Sequence, residues 1–189
     1  MQALRVKPPQ RLSTASGHAP MGYGLPGAIG AHFATGKPVI CIVGDGALQM
    51  NIQELQTIAA HKLPILIFVL NNDGYLTIKH MQQNHFGLNV GADPTSGLSC
   101  PDTMAIADAY GIPRLRVLNT SELDFEISTL TYPCLVEIVM PPDQPLIPKL
   151  SSYKRPDGSI TAKPLEDLYP FLDRNEFAAQ MIVPPVEGL

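Results

Sequence analysis

Two short runs of unbroken apolar, largely β-branched residues, "PVICIVG" (38–44) and "PILIFVLN" (64–71), flank a segment with a different rhythm. Such runs predict strands buried on both faces of a sheet. Between them, "ALQMNIQELQTIAAHKL" places Leu48, Ile52, Leu55, Ile58 and Ala59 on one stripe, which predicts a helix. Upstream, Gly22–Gly36 reads as a helix with Pro26 in its first turn. Its small-residue face, Gly27, Gly30 and Ala31, allows close backbone packing. Downstream come a helix over Tyr75–Gln83 and an irregular stretch over 84–101, long enough to be a functional loop. A capped helix at 101–111, a strand at 115–118, a helix over Ser121–Leu130 and a strand at 134–140 follow. Strands alternating with helices imply an α/β fold: a doubly wound, mainly parallel sheet with helices on both faces.

The pattern changes at Pro141. Nine of the nineteen prolines fall from there onward, among isolated apolar residues such as Leu150, Tyr153, Leu168, Tyr169, Phe171 and Phe177. The reading is therefore an α/β domain over 1–142 and a Pro-rich tail over 143–189 that packs on the domain or over its site, with a short helix near Arg174–Met181. Composition adds exclusions. With 45% hydrophobic and 16% charged residues and a net charge of −4, the chain reads as globular and cytoplasmic. It shows no basic patch for nucleic acid, no membrane span and no secretory signal. Cys41 and Cys134 lie in apolar runs and Cys100 in a loop, as expected of free thiols in a reducing compartment.

The candidate chemistry lies where the two apolar runs end. A parallel sheet binds ligands beyond the carboxyl ends of its strands, and "GDG" (44–46) and "NNDG" (71–74) fall at those ends of successive strands. Glycines let backbone approach a ligand, and a helix N-terminus offers free N–H groups to an anion. A carboxylate beside that anion makes sense if a divalent cation sits between them; the plainer reading of Asp45 is a turn residue. Asp45 and an amide oxygen of the second cluster are hard ligands suited to Mg²⁺. Plainer readings compete. "GYGLPG" (22–27) matches G-x-G-x-x-G, a dinucleotide fingerprint, but no strand is predicted before it. Asn71 reads as structural, Glu54 as helix-pairing, and His80 and His85 as surface or substrate-proximal, not metal ligands.

These motifs resemble those of thiamine diphosphate-dependent enzymes. "PMGYGLPGAIGA", "GDGALQMNIQEL" and "LNNDGYLTI" are similar to the C-terminal diphosphate-binding domain of the acetolactate synthase and 2-keto acid decarboxylase family, over about Ser16–Met140. The resemblance implies Mg²⁺ held by Asp45, Asn72 and the Gly74 carbonyl. It implies diphosphate held by backbone around Gly44, Gly46 and Ala47, with Tyr75 adjoining. Met21 would be the apolar wedge that bends the cofactor, the Ala19 carbonyl would meet the pyrimidine amino group, Met50 would line the thiazolium side, and His18 would touch substrate. The activating glutamate belongs, in that family, to a separate pyrimidine-binding domain, here expected on the same or a neighbouring polypeptide. The family's first strand and helix are not found before "RLSTASG". The chain is therefore expected to be inactive alone and to work as a homodimer or higher oligomer. Two further readings are the cofactor-binding β subunit of a split sulfopyruvate- or phosphonopyruvate-type decarboxylase, and a non-catalytic nucleotide-binding or regulatory module.

Overall fold

The computed structural model describes residues 4–123, 129–155 and 157–184. Contacts divide the chain into two compact units, 1–144 and 145–189. In the first, the α1 helix (Gly24–Thr35) leads into β1 (Val39–Gly44), followed by α2 (Asp45–Gln49), α3 (Glu54–Ala60) and β2 (Ile65–Asn71). Then come α4 (Leu76–Phe86), α5 (Thr103–Ala109), β3 (Arg114–Val117) and β4 (Cys134–Val139). The four strands form one sheet in the order β1-β2-β4-β3, every pair parallel. Chain order and sheet order diverge where β4 inserts between β2 and β3, so the sheet is built by crossovers, as an α/β fold requires.

Burial follows the patterning with one correction. Leu25, Leu48, Leu55, Ile58, Ile65, Ile67, Leu135 and Ala107 are buried in one cluster on the face that carries α1, α3 and α5. On the opposite face Leu66, Val117, Cys134 and Val136 form a smaller cluster. β1 was expected to be buried on both faces; instead it alternates, with Cys41 and Val43 buried and Ile40 and Ile42 exposed. The reason is its place at the sheet edge, where one face has no covering element among the described residues. α1 ends where Gly36 adopts a left-handed conformation. Of its small residues, Gly24 meets the Val43 side chain, whereas Gly30 faces open space.

The single helix expected between the first two strands is two. The N–H groups of Met50 and Asn51 turn back to the carbonyls of Ala47 and Leu48, tightening the chain between α2 and α3. Asn51 Nδ2 meanwhile donates to the Gly22 carbonyl at 3.0 Å. The apolar stripe survives the break, because Leu48, Leu55 and Ile58 still share the core. Asp102 caps α5, accepting from the Met104 N–H at 2.7 Å. Of the helix expected over Ser121–Leu130, a short 3₁₀ turn covers Thr120–Leu123, and 124–128 lie outside the described residues.

The second unit has its own construction. β5 (Ser152–Lys154) pairs antiparallel with β6 (Ile160–Ala162), and α6 (Arg174–Gln180) is capped by Asp173. The buried Asp167 carboxylate accepts from Arg174 at 2.8 and 3.0 Å, while the guanidinium carbon sits 4.9 Å from the Phe177 ring centre.

Candidate functional site

Register brings the two polar clusters together. Gly44 pairs with Leu70 at the carboxyl ends of β1 and β2, so Asp45 and Asn71–Asn72 leave the sheet side by side. Asp45 opens α2 and is only 2% exposed. Its Oδ2 accepts from the Gly74 N–H at 2.9 Å, while Oδ1 is buried with no hydrogen-bond partner. The side-chain oxygen of Asn72 is likewise buried and unpartnered. Burial raises the Asp45 pKa, and the surrounding amides of Gly74, Gly46 and Asn72 pull the other way. Two orphaned acceptors at one rim are an unstable arrangement unless something positive meets them.

Glycine is required at two positions here. Gly74 has φ of +147°, and a Cβ there would lie 2.4 Å from the Ala92 carbonyl oxygen. A Cβ on Gly46 would lie 2.3 Å from the Tyr75 ring, so the ring rests directly against the α2 backbone. Gly44 is looser: a Cβ there would find its nearest neighbour, the Leu70 carbonyl oxygen, at 4.0 Å.

The "PMG" segment reaches the same rim from the other side. A Cβ on Gly22 would lie 2.5 Å from Met50 Cβ, so the turn after Met21 rests against the end of α2. Met21 and Met50 are both about half exposed, apolar and unsupported by the core. Ala19 adopts φ of +46°, a left-handed conformation for a residue with a Cβ. Its N–H donates to the Ala15 carbonyl at 2.7 Å. His18 and Ala19 are exposed, and no described hydrogen bond joins either to Asp45 or Asn72. Ala47 is partly buried against the core.

Asn71 has a different task. Its Nδ2 donates to Glu137 Oε1 at 2.7 Å and its Oδ1 accepts from the Asp73 N–H at 3.0 Å. Glu137, fully buried in β4, also receives Arg116 of β3, which reaches on to Asp102 at 2.9 Å. This network anchors the end of β2, one residue before Asn72. Sequence reading missed Glu137 and Arg116; a lone Glu inside "CLVEIVM" was the available signal, since a carboxylate in an apolar strand needs a partner. It also missed Asp93, whose carboxylate takes the Ser96 N–H at 2.9 Å and pairs with Lys79 at 3.0 Å. These contacts hold its carboxyl well below the usual carboxylate range. That turn presents the Ala92 carbonyl to the Tyr75 N–H at 2.8 Å, pinning the 84–101 loop over Gly74.

The competing residues fall elsewhere. Glu54 accepts from Thr57 at 3.0 Å on its own helix. Among the described residues no three His, Cys, Asp or Glu side chains gather as a metal group, His80 and His85 included. No strand precedes Gly22 within residues 4–23, so the dinucleotide fingerprint lacks its first element there. No helix among the described residues is long and apolar enough to cross a membrane.

Comparison with known proteins gives these features a context. Residues 1–138 match the family described as thiamine pyrophosphate enzyme, C-terminal TPP binding domain. The acetolactate synthase large subunit of Cyanidium caldarium is 35% identical over 157 residues, covering 81% of this chain and 26% of that protein. The chloroplastic acetolactate synthase 2 of Zea mays is 34% identical over 160 residues, covering 80% and 25%. The solved thiamine diphosphate-dependent 4-hydroxybenzoylformate decarboxylase of Rhodococcus jostii RHA1 aligns with a TM-score of 0.54 at 28% identity, over 64% of this chain and 23% of that one. The chain thus spans about a quarter of the length of these curated relatives.

Proposed function

Because this chain belongs to the thiamine pyrophosphate enzymes, as their C-terminal TPP-binding domain, we propose that its Asp45–Asn72 rim holds Mg²⁺ and, through it, the cofactor's diphosphate. The observation that carries this reading is the pair of buried, partnerless oxygens on Asp45 and Asn72. Both are hard acceptors, and with the Gly74 carbonyl they make three of the six oxygen positions that Mg²⁺ prefers. Phosphate oxygens and water complete the set. The cation also resolves the electrostatic conflict of placing a carboxylate beside a diphosphate at a helix start.

The remaining residues bind and orient. Backbone at Gly44, Gly46 and Ala47 faces the diphosphate, and a side chain at Gly46 would collide with Tyr75. Met21 and Met50 offer half-exposed apolar surface to the cofactor's rings. The Ala19 carbonyl accepts from the pyrimidine amino group, and His18 faces substrate. The bound cofactor supplies an electron sink for carbanions formed next to a carbonyl.

We assign the whole protein an acetolactate synthase-like decarboxylation or carboligation of 2-keto acids. The named relatives support this, and a pyrimidine-binding domain on the same or a neighbouring polypeptide completes the site. Exposed Ile40 and Ile42 on β1 offer apolar surface for assembly into a dimer or higher oligomer. The test is calorimetric titration of the chain with thiamine diphosphate, with and without Mg²⁺. Binding is expected only with Mg²⁺ and weakened roughly 100-fold or more in Asp45→Ala. Mg²⁺-independent binding, or binding of NAD instead, would overturn the reading.

A further inference from the structure

Three successive backbone N–H groups of the turn after β2 are each held by a different part of the chain. The Asp73 N–H donates to Asn71 Oδ1 at 3.0 Å, the Gly74 N–H to Asp45 Oδ2 at 2.9 Å, and the Tyr75 N–H to the Ala92 carbonyl at 2.8 Å. The turn needs such support, because Asp73 adopts φ of +59° and Gly74 φ of +147°. A residue with a Cβ keeps a left-handed conformation where its surroundings hold it there. Two of the three cation ligands proposed above, the Asn72 side-chain oxygen and the Gly74 carbonyl, belong to this turn.

The first of those bonds depends on polarity behind the turn. Glu137 is fully buried, in register with Val69 and two residues after Leu135, on the face that carries the larger core cluster. A buried ion pair adds little net stability, so its value lies in what it orients. One Glu137 oxygen accepts from Arg116 and the other from Asn71 Nδ2 at 2.7 Å. A carboxylate offers acceptors only, whereas the Asn71 amide has a donor end and an acceptor end. With the donor end on Glu137, the acceptor end is left for the Asp73 N–H. The Asn71 backbone carbonyl also takes the Met140 N–H at 2.7 Å, so this residue is tied to the β4 segment twice.

We propose that Glu137 is a positioning residue for the cation site: as a double acceptor between Arg116 and Asn71, it dictates which end of the Asn71 amide meets the Asp73 N–H and so holds the Asn72–Gly74 turn in its cation-binding shape. The inference rests on the Mg²⁺ placement proposed above and adds what aims two of its ligands. A glutamine at 137 has one oxygen where the carboxylate has two, while both neighbours still donate. The charged Arg116 donor keeps that oxygen, being the stronger partner. The glutamine N–H₂ then faces Asn71, whose amide must reverse and set its own N–H₂ against the Asp73 N–H.

The experiment compares the 189-residue chain with Glu137→Gln, Asn71→Ala and Val136→Ala, each checked for folding by circular dichroism. Val136 is a fully buried neighbour of Glu137 in β4 and serves as the control for general loosening. Two readouts are taken: amide exchange at Asp73 by nuclear magnetic resonance without metal, and Mn²⁺ affinity by electron paramagnetic resonance. Glu137→Gln and Asn71→Ala are both expected to lose roughly tenfold in protection at Asp73. Their Mn²⁺ affinity is expected to fall roughly tenfold or more. Val136→Ala is expected to keep both. Wild-type protection at Asp73 in either relay variant would overturn the proposal, as would an equal loss in Val136→Ala, which would make the effect one of stability alone. Asn71→Ala removes the relay without altering the buried carboxylate, so it decides the matter if Glu137→Gln does not fold. If wild type binds no Mn²⁺, the Mg²⁺ reading falls, and protection at Asp73 alone decides whether Glu137 holds the turn.

Discussion

Replacing Gly74 by alanine attacks the candidate site at its least forgiving point. The added Cβ would sit 2.4 Å from the Ala92 carbonyl oxygen and 3.2 Å from Asp93 Cα, both backbone atoms that cannot swing aside. Relief requires moving the Asp93 turn, which breaks the Tyr75 N–H bond to the same carbonyl. That loss costs about 1 kcal/mol, and forcing a Cβ into a glycine-only conformation adds about 1–2 kcal/mol. The Gly74 N–H bond to Asp45 is disturbed as well. The sum is about 3 kcal/mol, or roughly 6–12 °C in Tm for a chain of this size. Urea denaturation followed by circular dichroism measures the loss, and Mn²⁺ binding is expected to fall with it because Gly74 offers its carbonyl to the cation. A Gly74→Ala protein within about 0.5 kcal/mol of wild type would show that this backbone is not held rigidly against the loop.

Other expectations follow from the same contacts. Arg116→Ala leaves the fully buried Glu137 carboxylate with Asn71 as its remaining side-chain donor among the described residues and should cost about 3 kcal/mol in urea unfolding, with Arg116→Lys recovering part of it. Ala19→Gly should stabilise by about 0.5–1 kcal/mol, because glycine adopts the left-handed conformation without strain; a destabilised variant would mean the strain is absent. In the second unit, Arg174 first and Lys163 after it hold the Asp167 carboxyl below its ordinary range. An acid whose folded pKa is depressed contributes stability above its unfolded value of about 3.9, and that contribution is lost as pH falls through the folded value. Amide protection in 145–184, taken relative to the intrinsic exchange rate at each pH, should therefore fall below about pH 4, and Asp167→Asn should remove that dependence.

Much of the fold was legible because periodicity reports burial. The runs at 38–44 and 64–71 became β1 and β2, and the stripe from Leu48 to Ile58 became their covering layer. The split between α2 and α3 was not legible, since it depends on Asn51 meeting Gly22, a contact distant in sequence. Nor was the exposure of Ile40 and Ile42, because an edge strand and a central one share the same β-branched composition. At the site, position in the sheet placed Asp45 beside Asn72, and glycine spacing marked Gly46 and Gly74. What escaped notice was the support behind them: the Glu137–Arg116 pair and the Asp93 turn. Each joins residues from separate elements, and a single chain's pattern carries no signal for which loop closes over which strand.

Everything proposed for the rim turns on whether Asp45 and Asn72 share one cation. A crystal of the chain grown with Mn²⁺ and thiamine diphosphate decides this through the metal's anomalous scattering. A single strong peak is expected within about 2.0–2.3 Å of Asp45 Oδ1, Asn72 Oδ1 and the Gly74 carbonyl oxygen, with phosphate oxygens on its far side. A peak elsewhere, or cofactor bound with those two side-chain oxygens still unpartnered, would mean that they do not hold the metal.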